Sequence, residues 1–281
     1  MRPSNLSTAK SLQAIVLLAP LCALSPAWCQ KSYEPPPLGE LLRKLDDNLN
    51  RFDRSVPSFF CDEHVLSSVE SDTDNRKTVT DTLFRLQRVP DTDHTTALVE
   101  SREIKAVNGR PATSQNMDGP ALLKGAFEGL LSVASSGQRS CMKYDLGGVD
   151  KAHPDGPYSI RFSTALTPEN AASCFLEEKS KGRVLVDPVS MQVTHLEIQT
   201  PRHMIFPGIR PLVGERVLTV DYAPVSLDGE TFWMPSSITM RIAAGLGTFH
   251  KTFWSFEANY GNFHRMKVTS RIVPGGGKVI P

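Results

Sequence analysis

The residues best equipped for chemistry form one run, Cys61-Asp62-Glu63-His64. A thiol, two carboxylates and an imidazole could hold a metal ion or move protons. The run lies in a period-two segment, 59–69, that reads as a strand. Successive strand side chains point to opposite faces, so Cys61 and Glu63 face one way and Asp62 and His64 the other. The four cannot converge on one atom without a bulge. Two Ser-x-x-Lys spacings could pair a serine nucleophile with a lysine. Ser7 and Lys10 fall in the N-terminal segment. Ser140 and Lys143 fall on a predicted strand, where residues three apart diverge. Gly-x-Ser-x-Gly, a P-loop and Gly-x-Gly-x-x-Gly are missing from the sequence. His195 and His203 are separated by a predicted strand end, a poor arrangement for zinc. His250 and His264 sit among aromatics and read as structural or surface residues. Glu177-Glu178 reads as a solvated turn, although spacing alone does not exclude a carboxylate pair. No catalytic residue, metal site or cofactor is expected.

The elements around these residues belong to an ordinary globular protein. The 281 residues carry 31 Lys+Arg against 30 Asp+Glu, and 40% are apolar. That balance argues against a nucleic-acid partner, which selects a basic excess. Residues 1–29 read as a cleaved signal peptide: Arg2 and Lys10, an apolar run from Leu12 to Leu24, then small residues at Ser25 and Ala27. Cleavage after Ala27 fits best, with Cys29 as the second site. Removing this segment takes two positive charges, so a net charge of +1 becomes −1. Bulky Leu21 and Trp28 precede Cys22 and Cys29 and fit a lipid-modified cysteine poorly. The expectation is a soluble exported protein, periplasmic or secreted. Cys61, Cys141 and Cys174 remain, enough for one intramolecular disulfide. Cys141 with Cys174 is the preferred pair, because both flank the same stretch of strands; the alternative is three buried thiols.

A Pro-rich linker, 30–37, precedes a helix in which Leu38, Leu41, Leu42, Leu45, Leu49 and Phe52 recur at helical spacing. Pro57 ends it. Strands follow at 59–69, 77–89 and 95–107, the last closed by Asn108-Gly109. A second helix is predicted over 119–135, with Leu122, Leu123, Ala126, Phe127, Leu130 and Leu131 on its apolar face. Gly125 and Gly129 each weaken it by about 1 kcal/mol relative to Ala. The remainder reads as strands at 140–144, 158–164, 182–186, 191–200, 215–225, 231–243 and 248–260, with a further one at 263–273. A flexible tail, 274–281, closes the chain. About ten strands joined by short turns imply an α+β domain, mainly antiparallel, over 38–273. A sheet of that size curls, which predicts a strongly curved, half-open β-barrel covered by two or three helices. On 231–243, Phe232, Met234, Ile238, Met240 and Ile242 share a face. Adaptable Met residues there suit either core packing or an apolar ligand.

The stretch Gly182-Arg183-Val184-Leu185-Val186-Asp187-Pro188, followed by Met191-Gln192-Val193-Thr194-His195-Leu196-Glu197-Ile198, resembles a signature of periplasmic lipoprotein carriers, the LolA-like superfamily that also includes RseB-type regulators. Val56-Pro57-Ser58-Phe59-Phe60-Cys61-Asp62-Glu63 is similar to the opening of secreted bacterial proteins of this type. The resemblance implies an open half-barrel whose apolar concave face takes up acyl chains beneath a helical lid. Arg85, Arg88 and Arg102 are each open candidates for the arginine with which such carriers gate their lipid. It further implies a non-enzymatic envelope protein binding a lipid or an acylated lipoprotein. The lining would come from Phe84, Leu86, Phe127, Leu130, Phe232, Met234, Ile238, Met240 and Ile242. The alternative is a protein-interaction or sensing module on the same fold, its core filled and its partner a membrane-anchored envelope protein.

Overall fold

A computed structural model describes residues 35–90, 96–112, 125–148, 156–206, 212–246 and 250–267. The expected signal peptide and C-terminal tail lie outside the described residues.

Helix α1 spans Leu38–Ser55. Its first turn hangs from Pro37, whose carbonyl accepts the N–H groups of Glu40 and Leu41 at 2.9 and 3.1 Å. Leu41, Leu42 and Leu45 are buried along one stripe. At the other end the Arg88 guanidinium donates to the carbonyls of Asp53 (2.6 Å) and Val56 (2.9 Å). These are carbonyls for which the helix has no partner of its own.

The strands are β1 Phe59–Glu70, β2 Asn75–Pro90, β3 Thr96–Val107, β4 Arg110–Pro111, β5 Met142–Leu146, β6 Tyr158–Thr164, β7 Lys181–Val186, β8 Val193–Phe206, β9 Leu212–Leu227, β10 Glu230–Leu246 and β11 His250–Arg265. They form one sheet in the order β4-β3-β2-β1-β11-β10-β9-β8-β7-β6-β5. Neighbours pair antiparallel, including β1 with β11, which joins the first strand to the last in mid-sheet. The sheet is unclosed and curled, with β4 and β5 as its edges. Two tight hairpins follow turn chemistry. Asn108-Gly109 and Asp228-Gly229 take positive φ at both positions, the conformation a two-residue β-hairpin loop requires. Asp187 builds another turn, its carboxylate accepting the N–H groups of Val189 (3.1 Å) and Ser190 (2.6 Å).

The predicted second helix is corrected. Within the described residues it is only a four-residue α-helix, α2 Ala126–Gly129, continuing as a 3-10 helix over Leu130–Ala134. Gly125 stands at φ 73°, outside helical space, so no helix runs through it. Leu122 and Leu123 lie outside the described residues. The expected separate strand at 263–273 is also corrected: Phe263 to Arg265 complete β11, which pairs with β1 as far as Phe59 opposite Arg265. Strand β8 starts at Val193 because Met191 adopts φ 56° in the preceding turn. Strand β5 starts at Met142, leaving Ser140 and Cys141 in the turn before it.

Leucines of α1 and residues of the 126–134 segment share one buried core with the inward residues of the strands. Cys141 is disulfide-bonded to Cys174, fixing the end of that segment to the β6–β7 connection. Among the described residues no helix is long and apolar enough to cross a membrane.

Candidate functional site

The leucine stripe of α1 outruns the core. Leu41 and Leu45 are buried, but Leu49 and Phe52, further along the stripe, are only partly covered. They face a cavity of about 440 Å³. Phe127, Leu131 and Ala134 bound it from the 126–134 segment, and Tyr222, Phe232, Trp233 and Pro235 from β9 and β10. Its position follows from the backbone. Pro235 pairs with Tyr222 across β9 and β10, and the register shifts between Pro235 and Ser237. Proline has no N–H for the ladder, and a bulge bends the strand that carries it. Asn48, also in the wall, donates to the Met191 carbonyl at 2.7 Å and fixes the helix over the turn before β8.

The polar side chains of the lining are Asn48, Arg51, Ser55, Glu128, Gln192, Glu230, Thr231 and Tyr222, beside the Trp233 indole. Burial, with Glu100 and Asp53 nearby, raises the Glu128 carboxyl above its ordinary range. The Tyr222 hydroxyl is buried without a hydrogen-bond partner among the described residues. Burial raises its pKa, so it stays a protonated donor.

A charged cluster lies inside the sheet beside this cavity. Arg102 Nε bonds both carboxylate oxygens of Glu63 at 3.0 Å, and Tyr260 donates to Glu63 Oε1 at 2.8 Å. Another Arg102 nitrogen reaches Glu100 at 3.1 Å. Glu100 in turn accepts the N–H groups of Gly125 (3.0 Å), Phe127 (2.9 Å) and Glu128 (3.2 Å). The guanidinium lies 4.8 Å from the centre of the Phe84 ring. Burial raises the Glu63 carboxyl above its ordinary range, against the pull of Arg102 and Tyr260. The cluster thus holds the start of α2 in place from β3. It escaped the sequence reading; the only signal was two acids and one arginine at inward strand positions.

The nine expected lining residues separate. Phe127 and Phe232 line the cavity. Phe84, Leu86, Leu130, Met234, Ile238 and Met240 are buried in the core, and Ile242 is half-buried against it. Phe84 stacks on Phe127 at 4.7 Å between ring centres, with Tyr260 edge-on to Phe127 at 4.9 Å. Of the three arginines, Arg102 is in the core, Arg88 holds the end of α1, and Arg85 pairs with Glu103 at 2.5 Å in a more exposed position. Cys61 and Glu63 are buried, Asp62 and His64 exposed, so the run does not converge. Burial raises the Cys61 thiol far above its ordinary pKa. His64, His195 and His203 each meet a different carboxylate at 2.7 Å. Glu178 is no solvated turn residue: it bonds His203 and the N–H of Met204 (2.8 Å).

No protein-family model matches the chain, and no curated protein matches it. Solved structures do. A LolA superfamily protein from Nitrosomonas europaea is 11% identical, with 84% of this chain and 96% of that one covered at a TM-score of 0.34. An outer membrane lipoprotein-sorting protein domain from Vibrio parahaemolyticus is 14% identical over 82% and 93%, at 0.38. A DUF1329 family protein from Desulfovibrio piger matches the chain at 10% identity over 84% and 96%, at 0.39.

Proposed function

We propose that this chain is an exported envelope protein that binds the acyl group of a lipid or lipoprotein and does no chemistry on it. The observation that carries the reading is the cavity between α1, the 126–134 segment and strands β9 and β10. Its volume, about 440 Å³, falls in the range of sites that enclose small ligands. Each methylene it takes from water contributes about 0.8 kcal/mol. The Cys141–Cys174 disulfide suits an oxidising compartment, as does the signal-like sequence at 1–29.

Native mass spectrometry of the exported protein, followed by solvent extraction, tests this. A bound acyl species is expected, and Leu49→Arg should expel it. Met240, buried in the core, is not the position for that test. A clean apo mass that does not change on incubation with acyl lipids would overturn the reading. One observation favours a second reading, the interaction module: the interior around Phe59, Phe84, Phe127 and Tyr260 is filled by its own rings. Cross-linking in cells to one dominant protein, with no lipid bound, would support it.

A further inference from the structure

We propose that this cavity takes the chain of an acyl lipid whose phosphate headgroup lies outside it, on Arg51 and Arg54 of α1. The proposal rests on the reading of the cavity as an acyl site and adds the headgroup and the direction in which the lipid lies.

Helix α1 presents two adjoining faces. Leu45, Asn48, Leu49 and Phe52 border the cavity. Asp47, Asn50, Arg51, Arg54 and Ser55 recur at helical spacing on the next stripe and border a shallow depression on the helix surface. Arg51 and Ser55 border both spaces. The depression therefore opens beside the cavity, and one amphiphile spans the two: an apolar part within, a polar part on the α1 rim.

The charge of the polar part follows from the rim. Arg51 and Arg54 are exposed. A helix end draws cations to its free carbonyls, but that role belongs to Arg88, which donates to the carbonyls of Asp53 and Val56. The ion pairs along α1 are Arg43–Asp47 and Lys44–Glu40, which leaves Arg51 and Arg54 without a carboxylate among the described residues. Asp47 also borders the depression, but Arg43 holds it at 2.8 Å. The depression is thus cationic, whereas the acids Glu128 and Glu230 border the cavity and not the depression. An anion is repelled from the cavity and drawn to its α1 rim. Guanidinium groups take phosphate oxygens in pairs, and a phosphate has oxygens for two such forks where a carboxylate fills one. The uncharged chain follows the leucine stripe inward.

Titration calorimetry below micelle-forming concentrations tests this with three probes: palmitoyl lysophosphatidate, monopalmitoylglycerol, which is the same molecule without the phosphate, and glycerol 3-phosphate, which lacks the chain. Wild type should bind lysophosphatidate about tenfold tighter than monopalmitoylglycerol at low salt, the ratio that two exposed ion pairs together provide. Arg54→Gln should bring that ratio to about threefold, and Arg51→Gln combined with Arg54→Gln to about one. Lys143→Gln removes the same charge from an exposed position on β5 and should leave the ratio unchanged. Equal wild-type affinity for the two lipids, or a ratio lowered as much by Lys143→Gln as by Arg54→Gln, would overturn the headgroup site and leave the cavity reading standing. Glycerol 3-phosphate bound as tightly as lysophosphatidate would overturn the lipid and assign the arginines to a free phosphate. Failure of both lipids to bind would overturn the cavity reading itself.

Discussion

Phe127 belongs to two different environments. On one side it meets Phe59, Phe84 and Tyr260 in a filled interior; on the other it borders the cavity beneath Leu49 and Phe52. In the filled region Glu63, Glu100, Arg102 and Tyr260 complete one another. The hydroxyls of Tyr222 at the cavity and of Ser67, Thr80 and Thr82 on β1 and β2 are buried without such partners. Charged groups that are mutually satisfied hold the 125–128 backbone in one place, and so define one wall of the neighbouring space. The comparison separates two kinds of packing within a single core: the filled side fixes the 125–128 backbone, and the other side leaves a cavity beside it.

The largest expected effect comes from breaking the filled side. Arg102→Met leaves Glu63 and Glu100 buried without their cation, and should cost about 3–5 kcal/mol in denaturant unfolding. Next comes a matched pair of truncations. Leu86 is fully buried, so Leu86→Ala should cost about 2–5 kcal/mol, whereas Leu49→Ala at the cavity wall should cost less than about 1 kcal/mol. Equal costs would erase the distinction between the two regions. Replacing both Cys141 and Cys174 with Ser opens a bridge spanning 33 positions. About 2–4 kcal/mol should be lost, and acyl binding should weaken because the 126–141 segment is no longer fixed at its end.

The smallest effect is one of pH. Burial raises the Glu128 carboxyl in the folded protein, so the folded state takes up its proton at a higher pH than the unfolded chain. Stability present in acid is then lost as pH rises through the raised value. Glu128→Gln should match wild type near about pH 4 and exceed it modestly near about pH 8. A variant advantage that grows toward acid would contradict the assignment.

Much of the sheet was legible because alternation is a local property. Tyr158–Thr164 matches its expected bounds, and Cys61 and Glu63 turn inward while Asp62 and His64 turn outward, as the period requires. The second helix was misread because its apolar spacing gives no warning that Gly125 leaves helical space. The cavity was less legible still. Period two marks Met234, Ile238 and Met240 as inward, and they are buried. It does not tell which inward residues find a neighbour. That depends on where α1 stops covering the sheet and on the register shift beside Pro235, and both are set by tertiary packing.

The pairing of β1 with β11 has a consequence for how this chain comes to be folded. Glu63 and Tyr260 touch across 197 positions of sequence, so the middle of the sheet is its contact of longest range. A nascent chain delivering β1 and β2 early must leave one edge of β1 unpaired until nearly the whole polypeptide has emerged. Closing so long a loop raises the folding barrier and slows the search. During that wait the strand carrying Phe59, Cys61 and Val65 is an open edge with an apolar face, the state in which strands pair with the wrong partner. Refolding at high protein concentration should therefore trade yield for aggregation, while the finished sheet hides this vulnerable strand at its centre.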